Sequence, residues 1–213
     1  MIVAIDGPSG SGKSSVSRAI AARFGLQYLD TGAMYRALTL WSIQGHADLS
    51  TCPLSMTTDP QAPAVRIGGR DVTAEIRGPE VTAAVSAIAA DPQVRARAVQ
   101  LQRDIIAAAA RGIVVEGRDI TTVVAPDADV RVFLTADLPA REARRAAEFH
   151  DPALAERMKQ TIAARDAIDS TRTHSPLREA ADVTRIDATY LTLEQVIDEV
   201  AELVERSDGG ELA

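Results

Sequence analysis

GPSGSGKS, residues 7–14, follows a short apolar run from Ile2 to Ile5 and precedes apolar residues at helical spacing that end at Gly25. It matches the pattern G-x-x-x-x-G-K-[ST] between a strand and a helix, where glycines let backbone N–H groups converge on phosphate oxygens. The pattern predicts that Lys13 bridges the β- and γ-phosphates of a nucleotide and that the Ser14 hydroxyl binds Mg²⁺. An ordinary glycine turn is the disfavoured alternative. The predicted ATP-binding residues are Gly7, Pro8, Ser9, Gly10, Ser11, Gly12, Lys13, Ser14 and Ser15.

Short apolar runs alternate with helical patterns along the rest of the chain. Residues 28–29, 113–115, 130–134 and 183–186 are rich in aliphatic residues and have the length of buried strands. Strands that alternate with helices predict an α/β core with a parallel sheet flanked by helices.

The segment between the predicted strands at 28–29 and 113–115 contains a predicted insertion. Residues 46–64 contain three prolines and predict irregular chain. The following apolar residues flank Gly68-Gly69, which predicts a tight hairpin within residues 62–73. Helices are predicted over residues 80–90 and 92–111.

Composition excludes several classes of protein. The chain has 213 residues, of which 46% are hydrophobic, and Cys52 is its only cysteine, which excludes an intrachain disulfide and a multi-cysteine metal site. No apolar run reaches the roughly 18 residues of a membrane span, and the first residues lack a signal-peptide pattern, so we expect a cytoplasmic protein. The net charge of −7 argues against binding to a nucleic-acid polymer.

Arginine dominates the basic residues, since only Lys13 and Lys159 are lysines. Genomic composition explains this bias as well as phosphate binding does, although arginine is the side chain that grips phosphate bidentately. Arg165, Asp169 and Arg172 would share one face of a helix in the charged segment near the C-terminal third. That face predicts either a lid that closes over phosphates or a solvated, salt-bridged surface helix.

Ordered sequence blocks extend well beyond the phosphate loop. They are IDGPSGSGK (residues 5–13), LDTGAMYR (29–36), EIR (75–77), PQVR (92–95), VEGRDI (115–120), PDA (126–128), RD (165–166), DS (169–170), Arg172 and SPL (175–177). In these blocks the chain resembles the bacterial cytidylate kinase family, within the nucleoside monophosphate (NMP) kinase group of P-loop proteins. The resemblance extends from Ile5 to about Val204.

The resemblance implies a P-loop kinase core, a small β-rich NMP-binding insertion and a short helical lid that bears arginines. The expected ranges are 1–30, 105–144 and 177–206 for the core, 31–104 for the NMP-binding part with its β insertion at about 62–73, about 145–176 for the lid, and 207–213 for a frayed tail.

It also implies transfer of the γ-phosphoryl group of ATP, with Mg²⁺, to CMP or dCMP by a monomer. By the same resemblance, the residues that face cytosine are Thr31, Ser86, Arg95 and Asp119. Arg36 and Arg118 would hold the acceptor phosphate, Tyr35 would contact the acceptor nucleotide, and Asp169 would bind the sugar hydroxyls. The implied catalytic residues are Lys13, Arg118, Arg165 and Arg172. A kinase for another small acceptor and a non-catalytic nucleotide-binding module are the alternatives.

The chemistry of the base agrees with these roles. Cytosine offers an exocyclic amine that suits the carboxylate of Asp119, and its N3 and O2 acceptors suit Arg95. Uracil presents an acceptor where cytosine has the amine, and a mismatched buried polar pair discriminates strongly between ligands. Glu116, which ends the third predicted strand, is a candidate partner of Mg²⁺ through water, or otherwise a simple strand-end acid.

The chain departs from the family pattern at two positions. Thr121 stands where the family block has glycine, and it would be strained if that position required a positive φ. Ile168 stands where some relatives carry a further arginine.

Overall fold

A computed structural model describes residues 1–147 and 151–209 of the chain. Its strands are β1 (Ile2–Asp6), β2 (Gln27–Asp30), β3 (Leu54–Met56), β4 (Val65–Ile67), β5 (Arg70–Asp71), β6 (Ile113–Gly117), β7 (Val130–Thr135) and β8 (Thr184–Asp187). Its α-helices are α1 (Lys13–Phe24), α2 (Thr31–Ile43), α3 (Pro79–Ala90), α4 (Pro92–Ala107), α5 (Leu138–Ala147), α6 (Pro152–Thr171) and α7 (Leu193–Gly209).

Five parallel strands form the central sheet in the order β2-β6-β1-β7-β8, and a second, antiparallel sheet has the order β3-β4-β5. The predicted α/β fold, with its parallel sheet, flanking helices and small β-rich insertion, is confirmed. Because parallel strands end at the same edge, the loops after β1 and β6 meet at the carboxyl edge of the sheet. That edge carries the candidate site.

The core is aliphatic, as the low aromatic content requires. Ile5 and Val114 on the central strands are fully buried, and Ile20 of α1 and Val200 of α7 pack against the same cluster. A separate cluster joins α2, α3 and α4 to the small sheet. Each buried aliphatic side chain contributes about 1.5–3 kcal/mol to stability, so the two clusters hold the site's elements in fixed positions.

The small sheet begins earlier in the chain than predicted. Leu54–Met56, within residues predicted to be irregular, forms β3 and pairs antiparallel with β4 in the register Leu54↔Ile67. The prolines of this region bracket the strand rather than interrupt it, so they do not remove a hydrogen bond from the ladder. The predicted hairpin of β4 and β5, with Gly68-Gly69 at its turn, is confirmed.

Two predicted helix ends differ from the structure. Helix α4 ends at Ala107 rather than near Arg111, and turns connect it to Gly112, whose φ of 84° places it in the left-handed region. Helix α7 includes residues 207–209 of the predicted tail, and residues 210–213 lie outside the described residues. A capping box precedes α7, because the Thr192 N–H donates to Gln195 Oε1 at 2.8 Å and the Gln195 N–H donates to Thr192 Oγ1 at 3.2 Å.

The segment predicted to form the lid is largely helical. Helix α5 begins at Leu138, before the expected start of the lid, and packs against α6. Residues 148–150 of the predicted lid lie outside the described residues. Across the described part of the chain, no helix combines the length and apolar character needed to span a bilayer.

The strain considered for Thr121 does not occur. Residues 120–124 form a π-helical turn, and the only non-glycine residue with a positive φ in the described ranges is Ser175. Thr121 therefore adopts a backbone conformation that a β-branched residue tolerates.

Candidate active site

A cleft of about 850 Å³ crosses the carboxyl edge of the central sheet. It is lined by most of the residues predicted from the sequence: Ser9, Gly10, Ser11, Gly12, Lys13, Ser14, Ser15, Thr31, Tyr35, Arg36, Ser86, Arg95, Glu116, Arg118, Asp119, Arg165, Asp169 and Arg172. Gly7 and Pro8 form the start of the loop behind this lining. The fold thus brings residues that are far apart in the sequence to one concave surface.

The loop between β1 and α1 has the backbone of a phosphate cradle. A side chain at Gly7 would overlap the carbonyl oxygen of Leu134, and Gly10 and Gly12 have φ values of 76° and 98°. Only glycine combines this close approach with these left-handed conformations at low cost. Gly12 also caps α1, so the N-terminal N–H groups of the helix face the cleft from the same loop.

Lys13 is a buried cation at the centre of this loop. Its ammonium group donates to the carbonyl of Pro8 at 2.8 Å and lies 3.5 Å from Ser11 Oγ. Burial, together with the charge of Arg118, lowers the pKa of Lys13 to about 7, although the charge of Glu116 opposes the shift. An anion in the cleft would therefore be strongly favoured beside this side chain.

Ser14 and Glu116 present oxygen atoms that fit a magnesium ion. The Ser14 hydroxyl donates to Glu116 Oε2 at 3.0 Å, and the Tyr28 hydroxyl donates to the other carboxylate oxygen. Burial raises the pKa of Glu116 to about 7, with a further contribution from Asp30. Hydroxyl and carboxylate oxygens beside a phosphate cradle are the hard ligands that Mg²⁺ selects, so the donor set fits this ion.

The other end of the cleft holds a buried ion pair. Arg95 of α4 and Asp119, which follows β6, are each 4% exposed and bind each other directly. Arg95 Nη1 also donates to the carbonyl of Ala89 at 3.0 Å, and its guanidinium carbon lies 5.3 Å from the ring centroid of Tyr35. The hydroxyl of Ser86 is buried in this wall and has no hydrogen-bond partner among the described residues. This end offers fixed donors and acceptors to a planar polar ligand.

Thr31 also lines the cleft, but its hydroxyl donates to the backbone carbonyl of Glu116 at 2.7 Å. Its contact with a base stays a prediction.

Arginines converge on the middle of the cleft. Arg36 donates to Thr82 Oγ1 at 2.9 Å and to the carbonyl of Ile76 at 3.2 Å. Burial lowers the pKa of Arg36 to about 9, and the charge of Arg165 adds to this shift. Burial likewise lowers the pKa of Arg165 to about 10, with Arg118 as the next cause. Mutually repelling guanidinium groups of this kind form a site for a multiply charged anion.

Arg118 connects the phosphate loop to α6. Its Nη1 donates to the carbonyl of Gly7 at 2.6 Å, and its Nε donates to Asp169 Oδ2 at 2.9 Å. Burial raises the pKa of Asp169, but the charges of Arg118, Arg165 and Arg172 outweigh burial and hold that pKa below its usual value. Asp169 is thus ionised and bound to Arg118, and its predicted role at the sugar stays a prediction.

Several residues at the site were not predicted from the sequence. Asp166 accepts a hydrogen bond from the Ser9 N–H at 3.1 Å and pairs with Arg141, which also donates to the Ser9 carbonyl at 3.0 Å. Arg144 donates to the Ser11 carbonyl at 3.4 Å. Asp166 stood beside a predicted arginine in the sequence, whereas Arg141 and Arg144 gave no signal because nothing local distinguishes them from other helix-surface arginines.

Comparisons with known proteins identify the family and the fold of the chain. A family model described as cytidylate kinase matches residues 3–206. The chain is 50% identical over 216 residues to a cytidylate kinase of Streptomyces avermitilis and 50% identical over 215 residues to that of Streptomyces griseus, with 96% of this chain and 93% of each relative covered. A crystal structure of a sugar kinase from Janibacter sp. HTCC2649 superposes with a TM-score of 0.51 at 14% identity, covering 96% of this chain and 94% of that one, which shows a shared fold.

Proposed function

The chain belongs to the cytidylate kinase family, and we propose that it transfers the γ-phosphoryl group of Mg-ATP to CMP or dCMP, forming ADP and CDP or dCDP. The observation that carries this proposal is that one cleft of about 850 Å³ joins the phosphate loop around Lys13 to the buried Arg95–Asp119 pair. A phosphate-binding end and a base-binding end in one cleft are what a nucleotide acceptor requires.

The donor end acts by position and charge. Phosphoryl transfer needs little covalent assistance, so its catalysts are groups that hold the reacting oxygens and offset developing negative charge. The loop N–H groups and Lys13 would bind the β- and γ-phosphates, and Ser14 and Glu116 would hold Mg²⁺. Mg²⁺ supplies a charge that offsets the phosphate oxygens when it is bound.

The acceptor end acts by orientation. Arg36 and Arg118 would bind the acceptor phosphate, while Arg95, Asp119 and Ser86 would read the pyrimidine edge. The cytosine amine would donate to Asp119, and Arg95 would donate to the ring acceptors. Arg165 and Arg172 of the α6 region would stabilise the charge on the group in transfer. We assign no general base, because the acceptor is itself an ionised phosphate.

We propose a monomer that works in the cytoplasm, with ATP and CMP or dCMP as its partners and neither a nucleic-acid polymer nor a membrane. The monomer is supported by the cleft, since one chain supplies residues to both of its ends. The net charge of −7 does not favour binding to a polyanion.

The test is ADP release from Mg-ATP with CMP, dCMP, UMP, AMP or no acceptor at one enzyme concentration. We expect strong stimulation by CMP and dCMP alone. Stimulation by UMP or AMP instead would keep the phosphate chemistry and reject the base contacts. ATP binding without acceptor-dependent ADP release would reject the kinase and favour a nucleotide-binding module.

A further inference from the structure

The carboxylate of Asp6, at the end of β1, binds the turn that follows β6. Asp6 is fully buried, and it accepts hydrogen bonds from the Ile120 N–H at 2.9 Å, the Thr121 N–H at 2.8 Å and the Thr121 hydroxyl at 2.7 Å. We call this set of groups the Asp6 anchor. A buried carboxylate is costly unless donors satisfy it, so these three donors fix one arrangement of the turn.

Thr121 is held from a second side as well. Arg131 of β7 donates to the carbonyl of Thr121 at 2.8 Å, and Arg131 also pairs with Asp182 ahead of β8. The N–H, the hydroxyl and the carbonyl of Thr121 are therefore all engaged, by two neighbouring strands of the central sheet. Thr121 itself is 1% exposed and does not line the cleft.

The turn fixed in this way begins directly after the residues assigned to the acceptor. Asp119 precedes Ile120, and Arg118 donates to the carbonyl of Gly7, the residue that follows Asp6. The consecutive residues Arg118 and Asp119 are thus held at the junction of β1 and the phosphate loop, by the Arg118 contact with Gly7 and by the contact of the following residue, Ile120, with Asp6. From this geometry we infer that Thr121 is a positioning residue for the acceptor nucleotide, acting through the Asp6 anchor on Arg118 and Asp119.

The inference deepens the proposed function and rests on it. Asp119 must reach Arg95 on α4 while presenting its other carboxylate oxygen to the base, and sub-ångström displacement of such a group weakens recognition. The phosphate loop has its own supports, in the cap at Gly12 and the contacts of Arg141. Loss of the Thr121 hydroxyl should therefore act on the acceptor more than on ATP.

The test compares T121V, which replaces the hydroxyl with a methyl group of similar size, with T121S, which keeps the hydroxyl. The matched control is T122V, because the neighbouring Thr122 is partly buried and its hydroxyl makes only a 3.5 Å contact with the Asp119 carbonyl. For each variant we would measure KM for CMP, KM for ATP and kcat, together with the Kd of CMP by calorimetry in the absence of ATP. All measurements are made well below each variant's melting temperature.

We expect T121V to raise both KM and Kd for CMP by about three- to tenfold, since one hydrogen bond to a charged group is lost while two backbone donors remain. The KM for ATP should change less than about twofold, and T121S and T122V should match the wild type within the same limit. A purely structural role would instead change both KM values together, or lower the melting temperature while leaving both KM values unchanged.

The inference is overturned if T121V binds CMP as the wild type does, if KM for CMP and KM for ATP rise equally, or if T122V reproduces the effect. A wild-type chain that does not phosphorylate CMP would refute the proposed function, and the inference with it. A wild-type chain that phosphorylates CMP beside an unchanged T121V would refute the inference alone.

Discussion

The two ends of the cleft are built in different ways. The donor end is made by consecutive residues 7–15, whose backbone and one lysine form the phosphate cradle. The acceptor end is made by single side chains from different elements: Tyr35 of α2, Ser86 of α3, Arg95 of α4 and Asp119 after β6. One end is thus a property of a short peptide between a strand and a helix, and the other is a property of the whole packed chain.

The ends also differ in how their charges are compensated. Lys13 donates to the Pro8 carbonyl and contacts the Ser11 hydroxyl, and both of these partners are neutral. Arg95 and Asp119, by contrast, neutralise each other within the protein. Ligand binding at the donor end should therefore depend mainly on the charge of the protein groups, and binding at the acceptor end mainly on their shape and hydrogen-bond pairing. Selective substitutions can separate the two.

The largest effect is expected at Lys13. K13A should lower kcat by about 10²- to 10³-fold, the loss typical of removing one donor that stabilises transition-state charge. K159A removes the other lysine, whose partly exposed side chain has its Nζ 3.8 Å from Glu156 Oε2, and it should leave kcat unchanged. Turnover retained in a K13A protein with a wild-type circular dichroism spectrum would contradict the role of Lys13.

A smaller effect, confined to the acceptor, is expected at Asp119. D119N keeps the shape of the side chain but weakens the pair with Arg95, so KM for CMP should rise about tenfold or more and the preference for CMP over UMP should fall. KM for ATP should stay within about twofold. D127N, at an exposed aspartate on the same segment, is the control. Equal changes in the KM values for CMP and ATP would show that the two ends are not separable.

A several-fold effect on ATP binding, at the donor end of the cleft, is expected from substitution of Asp166. D166N weakens the bonds from α6 to Arg141 and to the Ser9 N–H, so KM for ATP should rise about five- to tenfold, as for loss of a charge-assisted hydrogen bond. KM for CMP should change little, and E156Q on the exposed side of α6 should match the wild type. A rise confined to KM for CMP would assign Asp166 to the wrong end.

The smallest effect is a pH dependence of thermal stability. The pKa of Lys13 is lowered by burial to about 7 from its usual 10.5, so above pH 7 the unfolded chain binds one more proton at this residue than the folded chain does. Unfolding is then increasingly disfavoured as pH rises from 7 towards 10. The melting temperature of the ligand-free wild type should gain on that of K13M by a few degrees between pH 7 and pH 9. If the melting temperatures of the wild type and K13M changed equally with pH, the pH dependence would not come from Lys13.

The same contrast explains what could be predicted from the sequence. The donor end follows from local rules, because the spacing of glycines, lysine and serine between a strand and a helix already specifies the cradle. The residues of the acceptor end came from the resemblance to a family, since no periodicity relates Ser86 to Arg95 and Asp119. Their mutual geometry depends on how α3, α4 and β6 pack, which no local pattern encodes.

Other features escaped prediction for related reasons. Strand β3 was missed because neighbouring prolines dominate the local signal, although pairing with β4 provides its stability. Arg141 and Asp166 acquire their role only when α5 and α6 pack beside the phosphate loop. The residue type of Thr121 alone led us to consider backbone strain. The structure instead shows a hydrogen bond from its hydroxyl to the carboxylate of Asp6, 115 positions earlier in the chain.

The buried amine at the bottom of the phosphate loop also has a use outside turnover. Because burial lowers its pKa, Lys13 presents more unprotonated amine at neutral pH than an ordinary lysine does, and an unprotonated amine attacks carbonyl carbons. Lys159 is the only other lysine, and its side chain is partly exposed on α6. A small aldehyde that carries its own phosphate group would be drawn into the loop, where the Lys13 amine would add to the carbonyl carbon and lose water to form an imine. The fold therefore favours covalent labelling of Lys13 over labelling of Lys159.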